Sequence, residues 1–157
     1  MDYKGKPAAY ALIAGNKNYP KLNGKVWFFD THGGTLVTVS VCGITDKDGE
    51  YSQSFHGLHI HAGKSCTGNA QEPFADADGH YNPRNMGHPQ HAGDLPPLLS
   101  CRGSAWMSVY TDRFYPEDII GKTVIIHAMP DDFHTQPSGD SGEMIACGEI
   151  QEWKEEQ

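Results

Sequence analysis

The chain is poor in basic residues. Its 12 Lys and Arg stand against 20 Asp and Glu, for a net charge of −8 over 157 residues. Phosphate-binding surfaces need a basic footprint, so this balance argues against nucleic acid or an anionic membrane as a partner. No run of eighteen apolar residues occurs, which excludes a membrane-spanning helix of ordinary length. Residues 1–7 lack the apolar stretch of a secretory signal. If Met1 is the native start, a cytoplasmic protein is expected; if the chain was trimmed from an exported precursor, an extracytoplasmic one. Internal repeats, low-complexity segments and helical patterns longer than a turn or two are also missing.

What remains is a β pattern. The length predicts a single domain over residues 1–157, large enough to bury a core unaided. Gly (18) and Pro (10) are plentiful beside 38% hydrophobic residues, which suits a β-rich domain with long loops. Residues 11–14, 25–30 and 35–41 read as antiparallel strands, the last alternating β-branched with other residues. The turn at 31–34 and the polar turn at 46–50, with Asp48-Gly49 as its strongest signal, separate strands. Residues 57–61, 103–110, 122–128 and 144–151 supply the later strands. Residues 62–100 read as one long loop, since ten Gly or Pro fall between Gly63 and Pro97, and residues 129–143 as a second. About eight strands with two long excursions predict an all-β, flattened Greek-key barrel.

Six of the nine histidines and one aspartate are concentrated between positions 59 and 127. His59 and His61 lie two apart on a strand, so both side chains share a face and can chelate one metal. His80 lies in Gly79-His80-Tyr81-Asn82-Pro83. His88, His91 and Asp94 are spaced by threes, and His127 ends a late strand. Imidazole suits copper and zinc, and a carboxylate can complete a tetrahedral zinc site. A zinc ion would also order a loop otherwise too long for a compact domain.

The order of these motifs, with Gly57-Leu58 before the first pair and Ala146-Cys147-Gly148 near the end, resembles the copper-zinc superoxide dismutase family over roughly residues 22 to 150. The resemblance implies copper held by His59, His61, His80 and His127, and zinc by His80, His88, His91 and Asp94. His80 would bridge the two metals as an imidazolate. The substrate would be superoxide, converted to dioxygen and hydrogen peroxide while copper cycles between two oxidation states. Asp131 falls where the family keeps a carboxylate linking a copper histidine to a zinc histidine; neighbouring Asp132 competes for that role. The remaining His32, His56 and His134 read as ordinary polar residues. Family members are often dimers, so a homodimer is possible, and Trp27, Trp106 and Trp153 are candidates for core or interface.

The same resemblance pairs Cys66 with Cys147 in a disulfide. Cys42 and Cys101 are left over; a second disulfide or close thiol pair and two separate buried thiols are both open. Disulfides are unusual in a reducing cytosol, which sits uneasily with a cytoplasmic product. The chain also departs from the family pattern. Three residues before the last-strand cysteine the family carries an anion-guiding arginine, and here that position is Met144, after Glu143. Lys64, Arg84 or Lys122 could supply the charge instead. Three readings follow: a dismutase with weakened anion guidance, a copper- and zinc-binding relative with little or no activity, and a zinc-stapled interaction module.

Overall fold

Alternation decides which face of each strand meets the core. In the computed structural model, which describes residues 5–155, β1 (Ala9–Gly15) turns Ala9, Ala11 and Ile13 inward. β2 (Asn23–Thr31) contributes Val26 and Phe28, and β3 (Gly34–Cys42) contributes Val37, Val39 and Val41. Residues 1–4, part of the start on which the compartment expectation rests, and residues 156–157 lie outside the described residues.

Two strands break the alternation. β4 (Phe55–His61) and β7 (Thr123–His127) are buried on both faces. Leu58, Ile60, Val124 and Ile126 point into the main core. Their neighbours His59, His61, Ile125 and His127 are buried on the opposite face, where loops rather than a second sheet cover them. Ile125 joins a smaller cluster with Phe74, Ala77 and Cys147, against which Cys66 and Met144 pack.

The strands form one antiparallel sheet in the order β5-β4-β7-β8-β1-β2-β3-β6, with β5 spanning Asp94–Leu99, β6 Ala105–Thr111 and β8 Met144–Glu152. Ladders from β1 to both β2 and β8 join its two halves. The sheet curls into a nearly closed barrel whose ends, β5 and β6, meet without a ladder among the described residues. Helix is confined to a 3-10 turn at Ala75–Ala77 and one turn, α1, at Pro116–Ile119, among the described residues. No helix is long and apolar enough to cross a membrane among the described residues.

Two expectations are overturned. The long loop is shorter than residues 62–100, because β5 occupies its last part and pairs with β4. Pro96 and Pro97 hid this strand. Proline cannot donate to a ladder and is tolerated only at a sheet edge or bulge; β5 is an edge strand, and its register with β4 shifts between His56 and Leu58. Cys42 and Cys101, in turn, are free and exposed, neither disulfide-bonded nor buried. Val41 pairs with Ala105, so Cys42 comes opposite Ser104, and Ser104 bridges in turn to Cys101. Both cysteines line one shallow surface depression, with Ser104 also in its wall. None of the three tryptophans enters the core: Trp106 is 70% exposed, and Trp27 and Trp153 pack edge-on at 5.5 Å beside Tyr10 on the outer surface.

Cys66 and Cys147 are disulfide-bonded across 81 residues of sequence. A closed loop of that length restricts the unfolded chain by roughly 4 kcal/mol in the chain-entropy model. Reduction of this bond, or Cys66→Ser, is therefore expected to lower the urea midpoint and to steepen the slope, since the released chain unfolds to a less compact state. An unchanged midpoint would show that the loop is held by its other contacts.

Candidate metal centre

His59 and His61 reach the site because Leu58 and Ile60 are committed to the core, which leaves the alternate residues of β4 on the loop-covered face. β7 lies beside β4, with Leu58 opposite Ile126, and brings in His127. The long loop folds back on β4: Ala62 N–H donates to the Gly79 carbonyl at 2.8 Å and Tyr81 N–H to the Ile60 carbonyl at 2.8 Å. That pairing sets His80 opposite His61. Asn82 closes the next turn, its side chain bonded to both Met86 N–H (2.9 Å) and the Met86 carbonyl (2.8 Å).

The imidazoles divide their nitrogens consistently. The outward nitrogens have protein partners. His59 Nε2 meets Asp131 Oδ2 at 2.7 Å, His61 Nδ1 the Asp78 carbonyl at 2.5 Å, and His127 Nδ1 the Gly142 carbonyl at 3.1 Å. The inward nitrogens, Nδ1 of His59 and Nε2 of His61, His80 and His127, are buried with no hydrogen-bond partner among the described residues. These four residues can each offer a ligand atom within 4.8 Å of the others. A buried polar atom without a partner costs about 1–3 kcal/mol, so four facing one another mark a metal site. Holding each ring by its other nitrogen is the usual support for histidine ligands.

His80 belongs to a second group with His88, His91 and Asp94. His80 Nδ1 lies 2.8 Å from Asp94 Oδ1 and 3.3 Å from His91 Nδ1. Asp94 Oδ2 lies 3.1 Å from His88 Nδ1 and 3.2 Å from His91 Nδ1. His88 Nδ1 nevertheless lacks hydrogen-bond geometry and counts as unpartnered. Zinc–ligand bonds of about 2.0–2.1 Å in a tetrahedron imply ligand separations of about 3.3 Å, so the donor set fits zinc. The two groups share one ring, with Nε2 of His80 among the first and Nδ1 among the second.

Of the two candidate acids, Asp131 ties the groups together: Oδ2 accepts from His59 Nε2 and Oδ1 from His88 Nε2, the latter at 2.8 Å. Asp132 instead caps its own turn, accepting from the N–H groups of His134 and Thr135. Gly139, at φ +75°, packs against the Asp131 carboxylate; a Cβ there would fall 2.1 Å from Asp131 Oδ1 and 2.7 Å from His88 Nε2. His134 is exposed in this loop. His56 is not an ordinary polar residue. It is buried, with Nδ1 bonded to the His127 carbonyl at 3.0 Å and Nε2 to Ser52 Oγ at 2.7 Å. The one signal for this in the sequence was its place just before the His59 and His61 pair, across Gly57.

Burial, reinforced by the charges of His80 and His127, pushes His61 down to about 3. Burial likewise pushes His127 down to about 4, against its bond to the Gly142 carbonyl. His59 is lowered by burial and by the surrounding histidines. Burial raises the Asp94 carboxyl, but the bond and charge from His80 outweigh it and leave the group below its ordinary value. The imidazoles therefore keep lone pairs available for metal at neutral pH. A cavity of about 410 Å³ opens onto the first group. Its walls include His61, His80 and His127 with Pro137, Ser138 and Met144, and neither Lys nor Arg lines it among the described residues.

An antiparallel barrel carrying two metal-ligand groups that share one imidazole defines a binuclear metalloprotein. Residues 22–150 match the copper/zinc superoxide dismutase (SODC) family model. The chain is 32% identical over 149 residues to a Cu-Zn superoxide dismutase of Deinococcus radiodurans, covering 83% of this chain and 78% of that one. It is 30% identical over 164 residues to Cu-Zn superoxide dismutase 3 of Arabidopsis thaliana, covering 94% and 92%. Among solved structures, the Cu/Zn superoxide dismutase from Brucella abortus superposes with a TM-score of 0.76 at 25% identity, covering 91% of this chain and 99% of that one. The chain belongs to the copper/zinc superoxide dismutase family, a family of oxidoreductases whose metals are copper and zinc.

Two outcomes are expected. An unfolded histidine binds a proton below about pH 6.5, whereas His61 and His127 in the metal-free folded protein resist until about 3 and about 4. The unfolded state then holds more protons in this window, so stability is intact above about pH 6.5 and declines as pH falls, by about 1.4 kcal/mol per unit for each histidine. Urea midpoints of metal-free protein from about pH 7.5 to 4.5 check this; a flat profile would contradict it. Gly139→Ala, strained at positive φ and set against Asp131, is expected to cost roughly 1–3 kcal/mol and to weaken zinc retention against a chelator.

Proposed function

We propose that the chain dismutates superoxide, two anions and two protons yielding dioxygen and hydrogen peroxide. Copper would be held by His59, His61, His80 and His127, and zinc by His80, His88, His91 and Asp94. The observation that carries this reading is the shared ring, with the unpartnered His80 Nε2 among four histidines and Nδ1 beside Asp94. Copper, when bound, supplies one-electron chemistry between its two oxidation states, and zinc is redox-silent.

The chain's own contribution is positional. Asp131 keeps the His59 and His88 rings in fixed orientation through one carboxylate. Backbone carbonyls of Asp78 and Gly142 do the same for His61 and His127. These bonds leave one nitrogen of each ring with a free lone pair facing the site. His61, His80 and His127 each line the cavity and have an unpartnered Nε2; in this reading the shared ring of His80 is the one that would hold a proton within reach of a substrate. The loops that bury β4 exclude water from all but the cavity side.

In this reading Met144 stands where the family keeps its guiding arginine. Met144 pairs with His127 across β7 and β8 and lines the cavity. Lys64 and Arg84 are exposed away from its walls, and Lys122 rests on the Tyr81 ring at 4.7 Å from the centroid. A cleft of focused positive potential raises association rates by roughly ten- to a thousandfold; a neutral thioether provides none. The same observation favours a second reading, a copper- and zinc-binding relative with little or no catalysis.

The rate of superoxide dismutation per bound copper, measured on protein loaded with zinc and then copper, separates the two. The first reading expects a rate well above that of free copper, with weak dependence on salt. Met144→Arg is expected to raise it several-fold and to make it fall as salt rises. Full copper occupancy with a rate no better than free copper leaves the second reading.

A further inference from the structure

Two side chains from outside the long loop grip its backbone where three zinc-set residues lie. Arg113 Nη1 donates toward the carbonyls of Pro89 at 3.0 Å, His91 at 3.1 Å and Asp94 at 3.4 Å. Its two N–H bonds are thus shared among three oxygens of one short segment. Gln136, from the second loop, pairs with both backbone groups of His88: Nε2 donates to the carbonyl at 2.6 Å and Oε1 accepts from N–H at 2.8 Å. An exposed arginine ordinarily gains little from a surface partner. Here the cation is aimed at carbonyls, and hydrogen bonds from charged donors are roughly twice as strong as neutral ones.

Both side chains spring from anchored backbone. Arg113 N–H donates to Thr111 Oγ1 at 3.2 Å. The next residue, Phe114, is buried edge-on to Phe28 at 6.5 Å between centroids, and its carbonyl accepts from buried Thr35 Oγ1 at 2.8 Å. Gln136 follows Thr135, whose N–H is held by Asp132 at 2.8 Å. The gripped segment, by contrast, belongs to a stretch without strand or helix until β5 begins at Asp94.

We propose that Arg113 and Gln136 are positioning residues that clamp the backbone from His88 to Asp94 and so set the zinc affinity of the second ligand group. This rests on the reading of His80, His88, His91 and Asp94 as the zinc set. Clamping orders the backbone before metal arrives, so less conformational freedom is lost on binding. Gln136 also lies next to Pro137 and Ser138 in the cavity wall, which joins the zinc loop to the rim of the copper side.

The test compares wild type with Arg113→Met, Arg113→Lys and Gln136→Leu, each prepared metal-free. Zinc affinity is measured by chelator competition, and Co²⁺ replaces zinc to report tetrahedral geometry through its visible d–d bands. Loss of support around metal ligands typically costs about 10–100-fold in affinity, and that loss is expected for Arg113→Met and Gln136→Leu, with weakened or shifted cobalt bands. Arg113→Lys, which keeps the charge without the planar fork, is expected to recover part of it. Val39→Ala, in the core away from the loop, serves as a stability control and should leave zinc affinity unchanged. Affinities within about twofold of wild type for Arg113→Met and Gln136→Leu, with wild-type cobalt bands, would overturn the clamp alone, being far short of the loss expected. So would an equal loss in Val39→Ala. Wild-type protein without tetrahedral cobalt bands would overturn the zinc reading and the clamp with it. If Arg113→Met does not fold, Gln136→Leu and Arg113→Lys decide the matter.

Discussion

Buried imidazole nitrogens without hydrogen-bond partners impose the constraint around which the loop-covered side of this barrel is arranged. Five such atoms, from His59, His61, His80, His88 and His127, are enclosed together. Leaving them unsatisfied would be costly, so the fold makes sense as a scaffold for cations. Everything nearby serves to present them. The carboxylates of Asp131 and Asp94 and the carbonyls of Asp78 and Gly142 occupy or orient the opposite ring nitrogens. Depressed proton affinity keeps His59, His61 and His127 neutral. The disulfide at Cys66 and the return of residues 79–81 onto β4 bring the loop over a strand face that would otherwise need a second sheet.

Both ligand groups reach the same cavity, one through His61, His80 and His127 and the other through His80 and His91. The group with Asp94 is held in addition by Arg113, Gln136 and Asp131, and its donors already stand near tetrahedral spacing. Met144 and Ser138 line the cavity, Asp78 adds an acid, and no Lys or Arg among the described residues takes part. Met144 and Ser138 belong to neither ligand group, so this part of the cavity wall can vary while the residues that can hold metal stay the same.

Much of this was legible in the sequence because strand periodicity is local. The alternation at residues 35–41 and the spacing of His59 and His61 each define a face without reference to anything distant. The grouping of six histidines and Asp94 was legible through the order of short motifs, and so was the disulfide. What escaped depends on long-range pairing. β5 contains two consecutive prolines, and only its place at the sheet edge makes it a strand. Cys42 and Cys101 come to one surface depression, yet each keeps a free thiol. His56 looked ordinary because its partners, Ser52 and the His127 carbonyl, are defined by the fold and not by neighbours in sequence. Arg113 and Gln136 carried no pattern at all: one guanidinium and one carboxamide gain their role only from where two other segments come to rest.

A barrel closed by a full ladder has no free edge, whereas among the described residues this one keeps two, at β5 and β6. An unpaired strand edge can recruit another chain and begin an aggregate. Successive N–H groups of a strand point to opposite sides, so of Pro96 and Pro97 one removes a donor from the open edge of β5 and the other falls on the side of β4, opposite the register shift at Gly57. The prolines that disguised the strand thus also leave its open edge with a donor fewer for another chain to pair with.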